Sequence, residues 1–127
     1  MKPLSLYFFA LLTLMLSACS GSDSYRGDWK ATASDGSKYN IHFDPKKFTV
    51  KDTTGNEQVY DYTQHSVNIN NSIETYGITL GDGRVYEITF PIANDQTVGL
   101  IKDQNNKPLF TISRNKYTMY EEVFGLN

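Results

Sequence analysis

The chain has a single cysteine, Cys19, so no internal disulfide can form. Many small exported domains depend on such bridges; here any folded domain must be held by packing. Histidine is almost as scarce. His42 and His65 are the only two, and neither has the spacing or a cysteine partner of a zinc site, so no metal is expected. Serine nucleophile elbows, Walker loops and dinucleotide fingerprints are missing from the sequence, and no catalytic residue, no enzyme activity and no cofactor is expected. Charge of either sign is modest, with 12 Lys and Arg against 14 Asp and Glu. There is no basic stripe for nucleic acid and no polybasic patch for anionic lipid. Long apolar runs are lacking too, with one exception. Leu4 to Leu16 is apolar over about 13 residues, short of the ~20 that span a bilayer.

That one run carries a localisation signal. Lys2 supplies a positive n-region, Leu4 to Leu16 an h-region, and Ser17 and Ala18 are small enough to enter a peptidase site. The tetrapeptide Leu16-Ser17-Ala18-Cys19 resembles the lipobox of bacterial lipoproteins. The resemblance implies that residues 1–18 are a cleaved signal peptide and that Cys19 carries lipid on its thiol and on the new amino group. One acyl chain holds weakly, whereas a diacylglyceryl thioether with an N-acyl chain anchors stably. The partner implied at this end is therefore the membrane. In the family, Asp directly after the lipidated cysteine retains the protein at the inner membrane. Ser20 stands there in this chain, which favours the periplasmic face of an outer membrane. In a single-membrane bacterium the same anchor leaves the domain on the outer face of the cell membrane.

Only Lys2 among the basic residues precedes Cys19, so the remainder carries 12 − 1 = 11 basic against 14 acidic residues, a net charge of 11 − 14 = −3. Ser20-Gly21-Ser22-Asp23-Ser24 is small and polar and reads as flexible chain. The expected organisation is a signal peptide over 1–18, the lipidated cysteine and a flexible tether over 19–26, and one domain over 27–127.

That domain reads as all-β, with a repeated design. Asp35-Gly36-Ser37-Lys38-Tyr39-Asn40-Ile41-His42-Phe43 aligns with Asp82-Gly83-Arg84-Val85-Tyr86-Glu87-Ile88-Thr89-Phe90. Asp-Gly suits a tight hairpin turn, because Gly accepts positive φ. Tyr-x-Ile-x-Phe reads as a strand with one buried and one wet face, so His42 points away from Ile41 and Phe43. Asp35 and Asp82 are accounted for as turn formers. Gly55-Asn56 and Asn105-Asn106-Lys107-Pro108 introduce two further strands by the same rule.

Strands are expected near 27–33, 38–43, 48–52, 58–62, 66–69, 74–80, 85–91, 98–102 and 109–114. Short links between them force antiparallel neighbours. A meander of eight or nine strands on this length closes into a small up-and-down barrel, because closure removes exposed edges. Tyr120, Val123 and Phe124 have helical spacing before Gly125, so a short C-terminal helix or turn is expected. Gly27-Asp28-Trp29 resembles the Gly-x-Trp that opens lipocalins and other calycins. In that family the Trp plugs the closed end of the barrel, often near a basic residue from the last strand. The resemblance implies that Trp29 is such a plug, with Arg114 stacked on it.

The remaining signal is aromatic. Tyrosine suits sites with one wet and one apolar end, and Tyr60 and Tyr62 share a strand face. Trp29, Tyr60, Tyr62, Tyr86 and Arg114 are the candidates for ligand contact, set against a plain role in core and rim. Three functions fit. The first is a non-enzymatic envelope lipoprotein that binds a partner protein. The second is a lipocalin-type carrier of a small apolar ligand. The third is a periplasmic inhibitor of a lysozyme-type hydrolase, since Gly81-Asp82-Gly83-Arg84-Val85-Tyr86 is similar to the Ser-Gly-x-x-Tyr loop of small lipid-anchored barrels that block lysozyme. Gly-Asp replaces Ser-Gly here, the spacing differs, and that family's cysteines are missing.

Overall fold

The computed structural model describes residues 24–124; the expected signal peptide over 1–18 and Cys19 lie outside them. Eight antiparallel strands follow one another around a closed barrel: β1 (Gly27–Ala33), β2 (Lys38–Phe43), β3 (Lys47–Asp52), β4 (Glu57–Asn70), β5 (Ile73–Leu80), β6 (Val85–Phe90), β7 (Val98–Asp103) and β8 (Pro108–Ser113). Each strand pairs with the next, and β8 returns to β1 through Lys30–Ala33. A short helix, α1 (Tyr120–Phe124), follows.

Four hairpins of one type gather at one end. In each, the residue before the turn exchanges backbone bonds across it: Ala33 with Gly36 and Ser37, Asp52 with Gly55 and Asn56, Leu80 with Gly83 and Arg84, Asp103 with Asn106 and Lys107. The third turn residue has positive φ in all four, and it is Gly36, Gly55, Gly83 or Asn106. Asp35 and Asp82 have the turn role expected of them. Their carboxylates accept the amides of Ser37 at 2.9 Å and Arg84 at 3.1 Å; the Ser37 amide holds the Asp35 carboxyl below its ordinary pKa, and the Arg84 guanidinium, then its amide, does so for Asp82.

The repeat fills the barrel. Ile41, Phe43, Ile88 and Phe90 are buried, and Tyr39 and Tyr86 pack partly buried above them. Ile78, Ile101 and Ile112 complete an aliphatic middle. Below it lies an aromatic cluster of Tyr25, Phe43, Phe48, Tyr62, Tyr76 and Phe90, with centroid spacings of 5.0 Å for Tyr25–Tyr76 and Phe43–Phe48. The first pair meets edge-on and the second is tilted, and aromatic pairs of such geometry add roughly 0.5–1.5 kcal/mol each beyond the area they bury. This packing does the work that disulfides do elsewhere.

Two boundaries differ from the sequence reading. The strands expected at 58–62 and 66–69 are one strand, β4, of 14 residues. Its register shifts between Gln64 and Ser66, a bulge that takes up the polar residues read as a connection. Thr79 Oγ1 holds the bulged His65 ring at Nδ1, 2.9 Å away. The tether also ends earlier than expected. Tyr25 is fully buried, and Ser24 and Arg26 are bound into the domain through their carbonyls. Composition marked 19–26 as a leash because its small polar residues mask one aromatic plug.

Candidate functional site

The five candidates divide between opposite ends of the barrel. Trp29 and Arg114 meet at the closed end. The Arg114 guanidinium carbon lies 3.7 Å from the Trp29 ring centroid, and Trp29 Nε1 donates to the Tyr25 carbonyl at 2.8 Å. Gly27 makes room for this arrangement. Its φ is +97°, and a Cβ there would lie 3.1 Å from Arg114 Nη1, so an L side chain is disfavoured twice over. Tyr62 is at the same end. Its hydroxyl donates to the Asp44 carbonyl in the β2–β3 turn, and burial pushes its phenol pKa far up. Trp29 and Tyr62 are 2 % and 3 % exposed. Neither offers a ligand any surface, so these two candidates are core, as the bland account had it.

Tyr60 and Tyr86 meet near the hairpin end, around a residue the sequence reading did not select. The Arg84 guanidinium lies 5.3 Å from the Tyr60 ring and 5.7 Å from the Tyr86 ring. Its Nη1 donates to the Tyr86 hydroxyl at 2.9 Å. Asp82 clamps it from the side, with Nε and Nη2 at 2.9 and 2.8 Å from Oδ2. The turn pair Asp82–Arg84 was visible in sequence, but only closure of the barrel brings Tyr60 of β4 onto it. The result is a half-exposed Tyr–Arg–Tyr platform held from one side by a carboxylate. A cleft of about 530 Å³ lies beside it, between the β5–β6 and β7–β8 hairpins.

A second cleft, of about 230 Å³, lies outside the barrel wall between β1, β8 and α1. Pro108, Leu109, Phe110, Met119 and Ala33 give it an apolar lining. Buried Thr32 also lines it, and its hydroxyl has no hydrogen-bond partner among the described residues.

On the outer wall, His42 lies between two carboxylates, with Nδ1 2.6 Å from Asp28 and Nε2 2.9 Å from Asp44. Bonds to both nitrogens favour imidazolium and raise its pKa, Asp28 contributing most. Because the two carboxylates engage opposite ring nitrogens, they do not converge on a shared metal position. Among the described residues no helix is long and apolar enough to cross a membrane.

Comparison with protein-family models, curated proteins and solved structures yields no match to this chain.

Proposed function

We propose that this protein is a lipid-anchored bacterial envelope lipoprotein with a small calycin-like barrel that works by binding a partner protein and not by catalysis. The observation that carries the binding reading is the packed interior. Inward side chains form one cluster from Tyr25 at the closed end to Tyr39 and Phe110 at the other, so recognition belongs to the outside of the barrel. The surface we assign to it is the platform of Tyr60, Arg84 and Tyr86. Tyr and Arg are residue types that dominate interface energies, and Asp82 pre-orients Arg84 at little further entropic cost. Anchoring rests on Leu16-Ser17-Ala18-Cys19, and Ser20 favours the periplasmic face of an outer membrane.

The test is affinity capture from solubilised membranes with the intact lipidated protein. Arg84→Ala should lose the captured partner at least tenfold while the urea midpoint stays unchanged. Equal capture by wild type and Arg84→Ala would overturn the platform. Metabolic labelling with palmitate should mark the wild type and not Cys19→Ala. A labelled Cys19→Ala protein, or one retained on membranes as the wild type is, would overturn the anchor.

The apolar cleft beneath α1 favours a second reading, in which a small apolar ligand sits against Thr32 on the barrel wall. Native mass spectrometry that finds a retained lipid, lost in Phe110→Ala or Met119→Asp, would favour it. The inhibitor reading has its own check, since a protein of that class slows lysozyme in a turbidity assay.

A further inference from the structure

The chain enters the barrel at a fixed place. Ser24 donates its amide to the Tyr76 hydroxyl at 3.4 Å and its Oγ to Glu74 Oε1 at 2.8 Å, and its carbonyl accepts Arg114 Nη2 at 2.9 Å. Both Glu74 and Tyr76 lie near the start of β5, at the closed end. From Cys19 to Ser24 is 24 − 19 = 5 residues. Fully extended, they span about 17 Å. If Cys19 carries lipid, the closed end is confined to that distance from the bilayer, and the hairpin end points away.

The most exposed apolar side chains of the closed end lie on the β4–β5 hairpin and the β6–β7 loop. β3 pairs with β4 only as far as Asp61, whereas β5 pairs with β4 through Asn70. The outer half of β4 therefore runs past the end of β3 with one edge unpaired, while β5 stays paired with β6 from Glu74 to Thr79. Val67 pairs with inward-facing Tyr76 and Ile69 with Glu74. Tyr76 stays in the core, but here β4 has no neighbour on its β3 side, and Val67 and Ile69 are 53 % and 65 % exposed. The β6–β7 loop joins them. Asn94 donates its amide to the Ser72 carbonyl at 3.2 Å, and Ile92 in that loop is exposed. Among the described residues five large hydrophobics are exposed, and three of them are here. Thr63 to Ser72 and Pro91 to Asn94 contain no Asp, Glu, Lys or Arg.

We infer that Val67, Ile69 and Ile92 form a lipid-contacting foot that seats the closed end of the barrel on the bilayer surface beside the anchor. The inference rests on the anchoring proposed above. The short tether selects the occupant, because it holds this end and no other within reach of lipid. The segments that carry Val67, Ile69 and Ile92 bring no charge of their own into the headgroup region, Glu74 beside Ile69 stays bonded to Ser24 and Tyr76, and burial of the three side chains adds to the hold of the lipid chains. Contact should therefore be insensitive to salt, unlike a polybasic foot. The hairpin end, with Tyr60, Arg84 and Tyr86, is then presented away from the membrane.

The experiment places a reporter at the foot. Trp29, the only native tryptophan, is buried in the barrel, so its signal serves as background. Full-length lipidated Ile69→Trp and Asn105→Trp proteins are reconstituted into vesicles of zwitterionic lipid brominated in the acyl chains. The wild-type signal is subtracted. Ile69→Trp should be quenched at least twofold more than Asn105→Trp, equally at 0.05 and about 0.5 M salt. Co-flotation with the vesicles is read on the same samples. Proteins that fail to float refute the anchor itself. Proteins that float with equal quenching at both positions refute the foot alone. A foot protected instead by a second copy would show amide protection over 63–70 that rises with protein concentration in lipid-free detergent, and that result also overturns the inference.

Discussion

The Arg114 guanidinium carbon lies over Trp29, 3.7 Å from the ring centroid, and the same guanidinium donates to three backbone carbonyls. Nη1 donates to Asp28 at 2.8 Å, and Nη2 donates to Ser24 at 2.9 Å and to Arg26 at 2.6 Å. One side chain after β8 thus fixes the segment that crosses the closed end before β1. The Gly-x-Trp signature is explained by this contact: Gly27 makes space, Trp29 gives the face, and Arg114 ties both to the end of the last strand.

Arg114→Ala should cost about 2–4 kcal/mol, from the lost cation–π contact and from carbonyls left without a donor. Arg114→Lys keeps the charge but not the planar fork, and should recover less than half. Urea denaturation measures both. A loss below roughly 0.5 kcal/mol for the alanine variant would show that the clamp is incidental.

Tyr25 belongs to the barrel, not to the leash. Tyr25→Ala should cost about 3–5 kcal/mol, the usual loss for a buried aromatic. Tyr25→Phe removes only the bond from its hydroxyl to Gln64 Oε1, at 2.7 Å, and should cost about 1 kcal/mol. A chain starting at Gly27 should melt well below one starting at Ser22; equal melting temperatures would move the domain boundary back to Gly27.

Gly99 is a close-approach position in β7. A Cβ there would lie 2.8 Å from both the Thr89 carbonyl oxygen and Phe90 Cδ1. The first of these is backbone and the second is a core ring, so neither yields easily. Gly99→Ala should destabilise by about 1–3 kcal/mol and perturb the near-ultraviolet dichroism of the aromatic cluster. An unaltered spectrum with wild-type stability would contradict this.

His42 should titrate above its ordinary value of 6.5, because Asp28 and then Asp44 favour its charged form. The folded state then binds this proton more tightly than the unfolded state. Its contribution to stability is complete below pH 6.5 and is lost as pH rises through the raised value. The ring is exposed, so the effect is small. An NMR titration reads the pKa directly, and His42→Gln should flatten the fall in urea midpoint above pH 6.5. A midpoint at or below 6.5 would remove the imidazolium pair.

Most of the fold was legible because β-hairpin chemistry is local. The Asp-Gly turns and the Tyr-x-Ile-x-Phe alternation mark β1 to β3 and β5 to β8 within a residue of their observed ends. β4 was misread as two strands because Thr63 to Asn70 runs past the end of β3, where both faces of β4 are exposed and no alternation is required. Candidate residues were less legible. Tyr60 and Tyr62 look alike in sequence, two apart on one face. One stacks at 5.1 Å on Phe48 at the margin of the core, and the other is sealed beneath Tyr25.

By itself the sequence determined that the chain is all-β, disulfide-free and closed on short antiparallel links, because turn chemistry and period-two alternation act over neighbouring residues. The pairing of Trp29 with Arg114, 85 positions apart (114 − 29 = 85), came only through the resemblance of Gly27-Asp28-Trp29 to the Gly-x-Trp of calycins. Tertiary structure alone decided which aromatics are core and which are surface, since that depends on where each strand sits along the barrel axis. The stagger of β4 set this: it buried Tyr62, brought Tyr60 to Arg84, and carried Val67 and Ile69 past the end of β3. No local pattern encodes such an offset, because it arises only when β8 meets β1 and every register must close at once.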